Sequence, residues 1–474
     1  MHKFISASIW NFIANFSIRA LSLLTYPFIV RNFTRGDISL FKAFQALIAI
    51  LIATIPFGTK HLFISSPKNK KLERWNVAFY VSITISLIMI LFVNIDKNLL
   101  LNLLGDKYKF LTNYTFTFII ILFTIKTLLL TSLMDKMDFK SISLALMIKQ
   151  FIFYSAVIIF SLVPTISNIL IIILILSEIL ELSLLIYFSI KTKIRFLPYK
   201  NIKLYLDNVS KKFILFMGGE QIFNVLALHF PSIFVIYVMG KNLAPEFQLP
   251  FYAINVPASL IMLSVAKVIF PYMSEIRDDR LMRKTFMSIE FVLTLILVPI
   301  LIYISIFHNE IVSLIFEKSW INASFAIRFF PIMVFVNVLN NPFTSIAAIK
   351  EKPQIILIYS MSLFIFRMTA IYVGFSLYGF KGSILLFILA DVVIRLVRLK
   401  IDLDLIGMKI IHFYENIKFN LMGGFLIAFS YIGLMLIMNN KFISASCSIV
   451  IWGAYIYFTE KSRIQNIVFK VFHR

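Results

Sequence analysis

The chain has 474 residues, 60% of them hydrophobic and 15% charged, with a mean hydropathy of +0.90, against an apolar share of roughly 45–50% in soluble domains. Its formal net charge of +23 would suggest nucleic acid in a soluble protein, but the bases sit mostly between apolar runs, where anionic headgroups and the cytoplasmic bias of Lys and Arg account for them. One cysteine, Cys447, excludes an internal disulfide and a thiolate metal site.

Runs of about 20 apolar residues predict about fourteen transmembrane helices, and hence an all-α polytopic membrane protein. Six are expected at about 8–30, 36–57, 76–95, 112–134, 142–163 and 166–190. Asn11, Asn15 and Arg19 interrupt the first run and no small-residue cleavage site follows, so it is expected to be a retained helix rather than a signal peptide. The segment from Lys191 to Lys212, rich in bases and holding Pro198, is the most polar internal stretch and predicts a cytoplasmic linker. Six further helices are expected at about 211–238, 247–272, 283–307, 326–349, 354–378 and 380–399, and two more at about 418–438 and 441–459.

The predicted organisation is therefore a six-helix bundle over 1–190, a basic linker over 191–210, a second six-helix bundle over 211–400, and two extra helices with a tail over 401–474. The halves open alike, with Pro27 and Pro231 in apolar helices, short turns at Asn32 to Gly36 and Gly240 to Glu246, then Pro56 and Pro271. Weak internal repeats of this kind are what many transporters are built from. Short-loop bases put both termini and the linker in the cytoplasm.

Ionisable residues inside spans cost about 2.5–3.5 kcal/mol each on insertion scales, so those present need a reason. Arg19 falls near the middle of the first helix; Lys126 and Arg367 are similarly deep, and Lys42, Lys149 and Lys267 lie nearer helix ends, within snorkelling reach. Acids are fewer: Glu178, Glu181, Glu220, Glu290 and Asp391. Asp391 and Arg395, four apart, read first as a salt bridge on one helix, and Glu178 and Glu181 read first as partners of bases on neighbouring helices. Asn11, Asn15, Arg19 and Ser22 form one polar stripe, facing either another helix or a water-filled cavity. Taken together, an excess of buried bases over acids suits a cavity for an anion such as pyrophosphate, held by charge-assisted hydrogen bonds. For any single base, pairing or snorkelling competes with that reading.

Enzyme signals are poor, because the six histidines are scattered and no metal-ligand spacing, nucleophile elbow or phosphate-binding glycine loop occurs. No catalytic residue and no metal site is assigned. His229, beside Pro231, reads as a packed polar residue.

Residues 18–47, IRALSLLTYPFIVRNFTRGDISLFKAFQAL, resemble the first two helices of O-antigen (Wzx-type) polysaccharide flippases. Residues 230–276, with Pro257 and a Phe-Pro pair before Ser-Glu, look like that family's seventh and eighth helices. Residues 314–354 are similar to its ninth-to-tenth loop and tenth helix, with Glu317 in place of the usual glycine. The resemblance implies the multidrug, oligosaccharidyl-lipid and polysaccharide exporter fold, two six-helix bundles about a central cavity, here with two extra helices. It also implies a flippase in the bacterial cytoplasmic membrane, moving undecaprenyl-pyrophosphate-linked oligosaccharide by alternating access. By position it points to Arg19, Lys42, Glu220 and Lys267 as substrate-binding residues; Arg367 and Asp391 are added on depth alone. No cofactor is expected, and the coupling ion, H+ or Na+, stays open. Expected partners are lipid-linked oligosaccharide, membrane lipids and polysaccharide polymerase or other assembly proteins, with no nucleic acid. The competing readings are a drug or small-solute antiporter of the same superfamily, which would want an acidic cavity; a polytopic polymerase or ligase, which usually carries a large external loop; and a structural scaffold, which would not need midplane charges.

Overall fold

A computed structural model describes residues 2–59, 63, 71–95, 113–136, 138–162, 169–191, 208–255, 278–316, 319–350 and 352–472. Among them the chain is helical with no strand. The elements are α1 (His2–Asn32), α2 (Arg35–Thr54), α3 (Lys71–Ile95), α4 (Asn113–Asp135), α5 (Phe139–Ser161), α6 (Ile169–Lys191), α7 (Asn208–Met239), α8 (244–255), α9 (Asp279–Ile306), α10 (His308–Ile315), α11 (Ile321–Asn340), a 3-10 turn (Asn341–Ser345), α12 (Ile346–Ile349), α13 (Pro353–Leu405), α14 (Ile410–Met438) and α15 (Lys441–Phe472). Eleven of the described helices are long and apolar enough to cross a membrane. Helices suit these sequences because hydrocarbon offers no hydrogen-bonding partner, so each span must satisfy its backbone internally.

Local chemistry sets many helix ends. The Thr34 hydroxyl accepts from Asp37 N to start α2, Asp138 accepts from Ser141 N to start α5, and Asp278 accepts from Arg280 N to start α9. Asn439 closes α14 in the left-handed region at φ 49°.

Helix α13 has 53 residues, about 80 Å at 1.5 Å per residue, far more than one crossing of a core about 30 Å thick. It breaks at Tyr378 and Gly379, where Gly379 takes φ +60°. The two arms fold back on each other, with the Ser383 hydroxyl donating to Ile371 O at 2.9 Å. A Cβ built on Gly374 or Gly382 would lie within 2.5 Å of the opposite arm's backbone, so only glycine permits this approach. The predicted helices at 354–378 and 380–399 are these two arms. Other predicted limits move: the helix expected at 326–349 starts at Ile321 and changes to a 3-10 turn at Asn341–Ser345, where Pro342 enters, and the helix expected from 418 starts at Ile410. The linker expected at 191–210 lies outside the described residues over 192–207, as does the eighth helix beyond Asn255.

The chain forms two compact units. The first comprises Met1–Leu249, Ser313–Trp320 and Pro353–Phe387; the second comprises Pro250–Val312, Ile321–Lys352 and Ile388–Arg474. In the first, α1 packs mainly on α5, α2 on α7, and α4, α5 and α6 on one another around Leu129, Leu133, Ala145 and Leu185. The turn between α1 and α2 is tied down by Arg35, which donates to Glu246 Oε1 at 2.7 Å and Ser319 O at 2.9 Å and lies over Trp320. In the second unit α9 packs on α11 and α14, with Phe286 stacked on Phe343 and Phe413 edge-on to Phe343 at its centre.

Candidate functional site

The first unit carries basic and aromatic side chains on five of its helices, α1, α2, α5, α7 and α13. Arg19 is half-buried on α1; one turn on, Ser22 lies in hydrogen-bonding range of the Tyr26 and Tyr154 phenols. Lys42 of α2 is 7% exposed, donates to Gln45 Oε1 at 3.2 Å and sits over the Tyr26 and Phe41 rings, 5.2 and 5.6 Å from their centroids. It is close enough to act electrostatically on His229 of α7. Two residues before His229, Ala227 offers its carbonyl to Arg367 of α13 at 2.5 Å, and the guanidinium lies over Phe387 at 5.2 Å.

Proline explains that last contact. Pro231 lies inside α7 and has no N–H to return to the residue four before it, so Ala227 O loses its helical donor. The buried Arg367 supplies a charged one. A residue chosen on depth for the substrate thus has a framework task of its own.

A buried ionic cluster in the same unit is neutral overall. Lys126 of α4 binds Glu178 Oε2 and Glu181 Oε2 of α6, both at 2.6 Å. Lys149 of α5 binds Glu178 Oε1 at 2.5 Å and Glu181 Oε2 at 2.8 Å. All four side chains are at most 7% exposed. Two ammonium groups against two carboxylates join three helices, as expected of Glu178 and Glu181 from sequence, and they leave the anion-binding argument to Arg19 and Lys42.

The remaining expected site residues are scattered. Glu220 is half-buried on α7 in the first unit. Lys267 lies outside the described residues. Asp391, in the second unit, is fully buried and takes Arg395 Nε at 2.7 Å, the same-helix pair expected from the spacing, while Arg395 Nη1 reaches Asn337 Oδ1 at 2.6 Å. Tyr26, Gln45 and Tyr154 were not singled out from sequence, since aromatic residues near apolar runs carry no distinguishing signal; His229 was read only as packing. Among the described residues no group of His, Cys, Asp and Glu is placed to hold a metal ion.

The second unit holds an apolar cavity of about 630 Å³ between α9, α11 and α14, walled by Ile302, Pro331, Phe335, Leu421 and Phe425, with Arg328 and His308 also in its lining. Its walls suit hydrocarbon.

Known proteins resemble the chain in sequence and in fold. A family described as polysaccharide biosynthesis proteins matches residues 38–325. The lipopolysaccharide biosynthesis protein WzxC of Escherichia coli (strain K12) is 21% identical over 183 residues, which make up 38% of this chain and 37% of that protein; the chain thus matches little more than a third of this relative's length. Among solved structures, the lipid II flippase MurJ in an inward closed conformation aligns over 96% of this chain and 99% of its own, with TM-score 0.71 and 16% identity. An inward-facing multidrug resistance MATE transporter of the MOP superfamily aligns over 84% and 98%, with TM-score 0.62 and 14% identity. At such identities the likeness is one of fold.

Proposed function

Because the chain belongs to the family of polysaccharide biosynthesis proteins, we propose that it is a flippase carrying undecaprenyl-pyrophosphate-linked oligosaccharide across the bacterial cytoplasmic membrane by alternating access. The observation that carries this reading is the buried Lys42, over the Tyr26 ring and within electrostatic reach of His229, with the half-buried Arg19 two turns before Tyr26 on α1, inside a membrane-spanning unit. An anion is the ligand such an arrangement suits, and a diphosphate with several oxygens can meet an ammonium and a bidentate guanidinium together. The fold shared with MurJ and the partial likeness to WzxC support the same substrate class.

In this reading Arg19 and Lys42 neutralise the pyrophosphate, Glu220 and Lys267 stand as further contacts, and Arg367 and Asp391 hold the frame. Both termini lie in the cytoplasm, a polymerase or other assembly protein takes the product outside, and no covalent chemistry occurs on the chain. The test is genetic and chemical together. Deleting the gene should leave the lipid-linked oligosaccharide on the cytoplasmic leaflet and remove surface glycan, and restoring the gene should reverse both. Unchanged glycan with lost resistance to organic cations would favour a drug antiporter instead.

A further inference from the structure

Glu290 lies in the middle of α9, fully buried, and neither carboxyl oxygen has a hydrogen-bond partner among the described residues. The buried carboxylates Glu178, Glu181 and Asp391, by contrast, are each answered by Lys or Arg. The surroundings are polar yet short of donors. From α14, Asn420 donates to Phe291 O at 3.0 Å and to Thr294 Oγ1 at 2.8 Å, and Asn416 donates to Met287 O at 2.9 Å. Thr294 Oγ1 turns back on Glu290 O at 2.8 Å. These bonds fall within one turn of Glu290 on either side and consume the available N–H and O–H groups. What remains is a third buried oxygen without a donor, Asn420 Oδ1. Three acceptors and no donor cannot be a stable arrangement in hydrocarbon, where an uncompensated carboxylate charge is prohibitively costly.

Among the described residues no base is hydrogen-bonded to the Glu290 carboxyl. On α9 itself Arg283 donates to Ile406 O and Gly407 O, and Arg280 and Lys284 are exposed. On α11 the ionisable residue is Arg328, which is exposed. On α14 they are His412 and Glu415, both exposed, and Lys418, whose ammonium lies over Phe419. Where the end of α13 joins the same core, Arg395 pairs with Asp391 and Arg398 with Asp402. The intervening 3-10 turn has no ionisable residue.

We propose that the α9–α14 interface is a proton-binding site, in which Glu290 takes one proton from water and, as the neutral acid, donates it to Asn420 Oδ1. One hydrogen then satisfies the donor deficit and removes the charge. Parting α14 from α9 would hydrate the carboxyl and return the proton to water, so proton binding and the closure of these two helices are linked. Use of that proton to drive transport rests on the flippase reading; the protonation itself does not.

Infrared difference spectroscopy of the purified full-length protein separates the two. The carbonyl stretch of a protonated carboxylic acid is expected at neutral pH, absent from Glu290→Gln, and moved to higher frequency in Asn420→Leu, which removes the acceptor. No such band, or a band replaced by a carboxylate signal on adding sodium, would overturn the proton site, and an unshifted band in Asn420→Leu would overturn the pairing. In cells, Glu290→Gln at normal abundance should lower export at least tenfold or make it insensitive to a protonophore. Wild-type export that still collapses with protonophore in this variant would overturn the coupling while leaving the flippase reading intact.

Discussion

The Arg367 guanidinium donates to the carbonyl of Ala227 at 2.5 Å, and Ala227 is the residue whose helical donor is missing because position 231 is proline. A helix defect on α7 and a buried charge on α13 therefore compensate each other within one unit. Removing the charge should expose the defect. Arg367→Met should lower the stability of the purified protein by about 1–3 kcal/mol, the range for a buried polar group left unsatisfied. Adding Pro231→Ala, which restores an N–H to the helix, should recover part of the loss, and thermal unfolding of the two single variants and the double variant measures the coupling. Strict additivity would show that the guanidinium is held for another reason.

The quartet of Lys126, Lys149, Glu178 and Glu181 makes a similar demand on α4, α5 and α6. Lys126→Met leaves an uncompensated negative charge in hydrocarbon and should cost about 3–5 kcal/mol, seen as low membrane abundance. Combining it with Glu178→Gln restores neutrality and should recover abundance. A Lys126→Met protein as abundant as the wild type would contradict a structural quartet.

Outside the spans, Glu310 of α10 accepts a bond from Lys441. Burial would raise its carboxyl, but that bond and the Lys441 charge outweigh burial and hold it below the ordinary carboxylate range. A carboxylate depressed on folding adds stability above its unfolded value and loses it as the pH falls through the folded one. Both side chains are about a third exposed or more, so solvent screening keeps the contribution under about 1 kcal/mol. Glu310→Gln should therefore reduce stability slightly at neutral pH and flatten its decline between about pH 5 and 3. An unaltered acid limb in a denaturation series would remove Glu310 from the account.

Some of this was legible in the residues and some was not. The arms of α13 could be placed because the apolar stretch from 354 to 399 is too long for one crossing, and Asp391 with Arg395 because a spacing of four is a local rule. The same rule would have found Arg398 and Asp402, whose bond is 2.6 Å. Glu178 and Glu181 could be expected to meet bases, since a buried carboxylate needs either a base or a proton to remove its charge. Which lysines they meet depends on how α4, α5 and α6 pack, over separations that no periodicity reports. Pro231 announces a carbonyl without a donor at Ala227, yet nothing in the sequence selects Arg367, 140 residues away, to fill it. Glu290 looked like one acid among several, and its lack of a partner is visible only when the neighbouring helices are in place.

Orientation follows from the loop bases. Reporter domains fused after Arg35, Asp106 and Lys241 should lie outside the cell, and a fusion at the C-terminus should lie inside. An internal reading at any of the first three would invert or break the predicted fourteen-helix order.

Proteoliposomes containing the purified protein and a fluorescent lipid-linked pyrophosphate oligosaccharide offer the most direct test of transport by way of Arg19 and Lys42. Wild-type protein should move the lipid between leaflets. Arg19→Ala and Lys42→Gln should each slow it at least tenfold at equal protein content, and Arg19→Lys should retain part of the rate because the charge survives without the bidentate fork. Equal rates for the wild type and both neutral variants would contradict the assignment of Arg19 and Lys42 to the pyrophosphate.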